Sequence, residues 1–137
     1  MSEKVQFENI HPILDKEHTD IFKAINKVIT TTNLHWKKKE KRTLIVKSIK
    51  QLYKKCNKHW KTEERYFKKG LKNMPPEHQE IEKKINKHRK THIKMLDTII
   101  KIQNKATTTN PIKSIVKVRN ATIKHINEDD LEHFHWM

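Results

Sequence analysis

An all-α chain folded as an up-down-up-down antiparallel four-helix bundle is the expectation for these 137 residues, and three observations carry it. Helix breakers are scarce, with one glycine and four prolines set among abundant lysine and glutamate, both good helix formers. Interruptions concentrate in three short segments: Thr30 to Lys39, Gly70 to Pro76 and Ala106 to Pro111. Between them, apolar residues recur at alternating steps of three and four, the period of a helix with one buried face. The expected helices lie near 13–31, 39–69, 76–105 and 111–135, in a single domain of residues 1–137.

The first helix carries the stripe Leu14, His18, Ile21, Ile25 and Val28, and it should end where three threonines, Asn33 and a run of lysines break the period. The second carries Ile45, Ile49, Leu52, Cys56, His59, Glu63 and Tyr66, and stops at Gly70 and the Pro-Pro pair. The third carries Ile81, Ile85, His88, His92, Met95 and Ile99. The fourth begins at Thr-Thr-Thr-Asn-Pro, an N-cap followed by proline in the first turn, and carries Ile115, Val118, Thr122 and His125. Long helices joined by short connections pack as antiparallel neighbours.

Net charge is +15, and 27 of the 31 basic residues are lysine. A polyanion partner is one reading of that excess. The lysines are spread over every expected helix and arginine is scarce, which favours a solvated exterior and argues against nucleic acid as a partner. Cys56 is the only cysteine, so an internal disulfide is excluded and a cytoplasmic location is expected. No apolar run approaches the roughly 20 residues that span a bilayer, and the N-terminus has no signal-peptide apolar region.

The informative residues are the polar ones inside the apolar stripes, since an imidazole or carboxylate on a core face loses hydration and needs a partner. Every stripe holds at least one. His59 and Glu63 are four apart, as are His88 and His92, so each pair projects from one face, one turn apart. Of ten histidines, His18, His59, His88, His92 and His125 fall on inner faces, while His11, His35, His78, His133 and His135 fall near helix ends or connections. Five imidazoles converging in a dry core call for a metal, and five exceed the needs of one tetrahedral zinc. Glu63 and a second acid after His125 are able to bridge two cations. If two octahedral ions share two carboxylates and one oxygen bridge, six positions remain. Five histidines fill five, and one position on one ion is left for a small ligand.

The segments Leu-Asp-Lys-Glu-His-Thr-Asp-Ile-Phe (14–22), His-Trp-Lys-Thr-Glu-Glu-Arg (59–65), His-Arg-Lys-Thr-His (88–92) and His-Ile-Asn-Glu-Asp-Asp (125–130) resemble hemerythrins and bacteriohemerythrins, in that family's order and over most of the chain. The resemblance implies a non-haem di-iron centre with an oxo or hydroxo bridge that binds dioxygen reversibly, passing between diferrous and diferric states. It implies that His88, His92 and His125 hold the filled iron, that His18 and His59 hold the iron with the open position, and that Glu63 and Asp130 bridge both. It further implies a dioxygen pocket at Ile21, Trp60, Thr122 and Ile126.

The chain departs from the family pattern in four places. Glu63 and His88 are 25 apart, about ten more than usual, and His78 with Glu82 stands at the usual spacing. That register is rejected because apolar residues follow His92, as they do in the family, and the extra residues are expected to lengthen the second and third helices beyond the site. Ideal helix geometry favours Asp129, four beyond His125, as the last ligand. The family pattern favours Asp130, five beyond, and we adopt it, expecting a local helix irregularity or an oblique approach. Where relatives often carry Trp-Leu, this chain has Ala121-Thr122, a smaller and more polar wall that should admit water and speed autoxidation. His133 replaces a frequent tyrosine. Cys56 reads as core in preference to a thiolate ligand, and Trp36 and Trp136 as caps of the bundle.

Dioxygen carriage, storage or delivery, with no catalysis, is the leading functional expectation. Sensing or detoxification of dioxygen, nitric oxide or peroxide, or iron storage, at the same site is the alternative, and a lysine-rich polyanion-binding module with a structural metal is the third. Oligomeric state is left open.

Overall fold

The computed structural model describes residues 12–72 and 79–126, and these contain four α-helices and no strand: α1 Pro12–His35, α2 Arg42–Lys72, α3 Gln79–Lys105 and α4 Ile112–Lys124. A short 3₁₀ turn, Lys39–Lys41, precedes α2. Consecutive helices pack side by side, and α1 closes the ring against α4. The antiparallel sense is fixed by cross-helix contacts. Thr62 meets Glu17 near the start of α1, while Arg42 meets Trp36 just past its end. Phe67 and Trp60 of α2 meet His88 and His92 of α3 in reversed order.

The stripe residues whose side chains are described are buried except Tyr66 and Met95, which are half-buried; the side chain of Ile81 lies outside the described residues. In α2 the stripe continues through Phe67, fully buried, while Tyr66 is only half-buried. Eight residues of 3.6-period helix carry the stripe from His59 to Phe67 on the face that holds Glu63. In α1 the helix continues past Thr30 to His35. Thr32 is buried, and its hydroxyl donates to Val28 O at 2.7 Å, so a residue expected to break the helix is satisfied inside it. The chain turns only at Trp36.

α4 starts one residue later than expected, with Pro111 O accepting the first helical bond from Ile115 N. Asn110 still caps it, its side-chain oxygen accepting from Ile112 N at 3.0 Å. The expected start of the third helix at 76 and the end of the fourth at 135 lie outside the described residues. α2 runs nine residues past Glu63, and α3 begins nine before His88, which is where the ten extra residues between them are accommodated.

Arg42 ties the two connections at one end together. It donates to Trp36 O at 2.8 Å and to Thr107 O at 3.0 Å, and its guanidinium lies 3.6 Å from the centre of the Trp36 ring. Next to this end lies the main apolar core, including Ile25, Val28, Ile45, Ile49, Ile99 and Ile115. Each such side chain contributes roughly 1.5–3 kcal/mol by leaving water. Towards the other end, Leu14, Phe67 and Ile85 form a second buried apolar layer. The polar stripe residues are held between the two. Every lysine whose side chain is described is exposed, and no described helix is long and apolar enough to cross a membrane.

Candidate metal centre

Six of the seven expected ligands meet in one place. His18, His59, His88, His92, His125 and Glu63 are buried, none more than 4% exposed. They come from all four helices, because each lies on its helix's apolar stripe at the same level of the bundle. Glu63 is at the centre, and its two oxygens face different partners. Oε1 is 2.7 Å from His59 Nε2 and 3.7 Å from His18 Nε2. Oε2 is 3.2 Å from His88 Nε2 and 3.0 Å from His92 Nε2. His125 Nε2 lies 3.0 Å from His92 Nε2.

Two ligand groups result. One donor atom each from Glu63, His88, His92 and His125 lies within 4.8 Å of the others, and so do donors from His18, His59 and Glu63. Glu63 belongs to both groups, as a bridging carboxylate must.

Sequence reasoning missed Glu17. Its Oε1 is 3.1 Å from His59 Nδ1, and its Oε2 accepts from the Thr62 hydroxyl at 3.1 Å. The only signal was an acid beside His18 in sequence, and recognising its role requires the pairing of α1 with α2. An ionised carboxylate accepts only, so a hydrogen of the His59 ring is on Nδ1. Nε2 faces Glu63 Oε1 at 2.7 Å, where a neutral ring turns a lone pair and a protonated ring a hydrogen. A metal ion in the place of that proton fits the donors present.

The electrostatics agree. Burial pushes the Glu63 carboxyl up, but the imidazoles of His59, His18 and His88 pull harder, and the group is held well below the usual carboxylate range. Burial pulls His92 down to about 4, with the nearby Glu63 only partly opposing it and His88 and His125 adding to it. His92 is therefore neutral at pH 7, the state in which imidazole binds a metal. Burial pushes Glu17 up, yet the hydrogen bonds and charge of His59, with Thr62 and Lys58, bring it below its ordinary value. Cys56 is buried, its thiol raised to about 12 by desolvation, and it belongs to neither ligand group, in keeping with a core residue.

Ring packing holds the imidazoles in place. Trp60 stacks on His92 with centroids 4.9 Å apart and 13° between planes, and Phe67 meets His88 edge-on at 5.1 Å. The expected pocket residues Ile21, Trp60, Thr122 and Ile126 are all buried. Of the expected Ala121-Thr122 wall only Thr122 is buried, and its hydroxyl is committed to Val118 O at 2.8 Å; Ala121 is exposed.

His125 and Ile126 continue α4 in π geometry. Asp130, its rival Asp129, and also His11, His78, His133, His135 and Trp136 lie outside the described residues. Glu82, the partner in the rejected register, is exposed.

The family profile of the hemerythrin HHE cation-binding domain matches residues 9–135. No curated protein and no solved structure matches the chain.

Proposed function

This chain belongs to the hemerythrin family of HHE cation-binding domains, and we propose that it binds dioxygen reversibly at two iron ions bridged by Glu63, as a carrier, store or delivery protein without catalysis of its own. The observation that supports this reading is the uneven division of histidines about one carboxylate: His88, His92 and His125 form one group with Glu63, His18 and His59 the other. With equal coordination numbers, the two-histidine side keeps a position for an exogenous ligand. When bound, the ion pair supplies and takes back the two electrons that dioxygen binding requires.

The protein's own part is to position, to exclude and to hold charge. Glu17 keeps the hydrogen of His59 on Nδ1, which aims Nε2 at the two-histidine position, and Thr62 holds Glu17 in turn. Trp60 and Phe67 fix the His92 and His88 rings. Ile21 and Ile126, each 1% exposed, keep water away from the ligand side. We assign the second bridge, with an oxo or hydroxo group, to Asp130.

Iron-loaded protein, reduced without oxygen, exposed to air and then purged, tests the reading. The expected result is two irons per chain and a visible charge-transfer band that grows in air, fades on purging and returns. Irreversible oxidation would favour detoxification, and failure to retain iron would remove the proposal.

A further inference from the structure

The four neighbouring helix pairs do not pack equally. Over the described residues, α1 and α2 lie together along most of their length, whereas α3 and α4 touch sparsely. Between α3 and α4 runs a groove of about 410 Å3, from the 106–111 connection towards the metal-centre end. Facing helices normally fill such space with interdigitating side chains. Here the facing positions carry Thr98 and Lys101 on α3 and Ser114 and Lys117 on α4, which are short or keep their charged ends in water.

The floor is apolar, formed by Met95, Ile102, Pro111, Val118 and Ala121. The rim is cationic. Lys101 and Lys105 are one turn apart on α3, Lys117 stands on α4, all three are exposed, and no acid is among the described lining residues. None of the six assembled ligands lines the groove, so it is distinct from the metal centre.

Its volume is within the roughly 300–1,000 Å3 of small-ligand sites, which are apolar with a few polar groups that fix orientation. Lys105 and Met95 are ten residues apart, so the groove is about 15 Å long. That length and volume suit one alkyl chain, whereas a partner helix with side chains is about 10–12 Å across. A second copy of the chain would bring another net +15 to the same charge. We infer that the groove binds a single-chain anionic amphiphile, a medium-chain fatty carboxylate. The carboxylate sits among Lys101, Lys105 and Lys117, and the chain lies along Ile102, Val118, Met95 and Ala121.

The test is calorimetric titration of full-length, iron-loaded protein with laurate, dodecyltrimethylammonium and dodecanol, each below its micellar concentration. One laurate should bind per chain, more weakly as salt rises, and the cationic and neutral amphiphiles should bind at least tenfold more weakly. Ala121→Trp, which fills the lower groove, and the pair Lys101→Glu with Lys117→Glu should each weaken laurate binding tenfold or more, with helicity and iron content unchanged in the lysine pair. The inference is overturned if laurate does not bind, if it binds no tighter than the cationic amphiphile, or if several molecules bind per chain and neither variant changes this.

Discussion

Replacing Glu17 with glutamine isolates what this half-buried carboxylate does for the metal centre. Glutamine keeps the shape, and its amide oxygen is still able to accept from His59 Nδ1; the negative charge is lost, and the atom facing Thr62 becomes a donor. In the native protein the two oxygens are each 3.1 Å from their partners, and the carboxylate is ionised at neutral pH because His59 and Thr62 outweigh the upward push of burial. Carboxylates that orient a ligating histidine in this way typically contribute about 10–100-fold to metal affinity, or about 1.4–2.8 kcal/mol. The geometry says which site weakens. Glu17 touches His59, and His59 shares Glu63 Oε1 with His18, whereas His88 and His92 face Oε2 and His125 groups with them. Anaerobic titration with cobalt(II), followed in the visible, should show the second equivalent weakened about tenfold in Glu17→Gln and up to about 100-fold in Glu17→Ala, with the first unchanged. Equal weakening of both equivalents, or none in Glu17→Ala, refutes the reasoning.

Three other perturbations follow from the same geometry. In metal-free protein, His92 is neutral in the fold down to about pH 4, whereas the unfolded chain takes up that proton below its ordinary 6.5. The unfolded state thus binds more protons in that window, so stability falls as pH drops, by about 3 kcal/mol for this group at 1.36 kcal/mol per pH unit. Glu63, lowered in the fold, acts in the same sense below its ordinary value of 4.5. Urea midpoints at pH 7 and pH 4.5 should differ accordingly, and equal midpoints would contradict the burial argument. Thr122→Leu enlarges the wall; since the native hydroxyl is already committed to Val118 O, the gain is in bulk that excludes water. Air-exposed, reduced protein should autoxidise severalfold more slowly in the variant, and an unchanged or faster rate counts against the wall. Arg42→Ala removes two hydrogen bonds and the Trp36 ring contact that join the connections at one end. A loss of about 1–2 kcal/mol is expected by chemical denaturation, because the site is partly exposed and screened; a change below 0.5 kcal/mol, the ordinary surface range of about ±0.5, would show the staple to be incidental.

Much of the fold and most of the site were legible before any coordinates. Helix period alone puts His59 with Glu63, and His88 with His92, on one face, because residues four apart are nearly in line along a helix. The apolar neighbours in each stripe then say that this face is buried. Where local chemistry competes with period, the reading slipped. The threonines after Ile29 suggested a break, yet Thr32 finds a carbonyl one turn back and stays helical. Tyr66 stood at a plausible stripe position, and Phe67 took it because it seals the edge of His88.

What no single stripe contains is the register between helices. Side-chain packing at antiparallel contacts decides which turn of α1 faces which turn of α2, and that choice sets Glu17 against His59 and Thr62. It also places Glu63 so that one oxygen faces two histidines and the other faces the remaining group. The gap between α3 and α4 has the same origin, since neither Lys101 nor Ser114 reads as a groove until the two helices stand opposite each other. Period assigns each residue to the inside or outside of its own helix. The contacts within the core are long-range in sequence, and they exist only once the four inner faces have closed on one another.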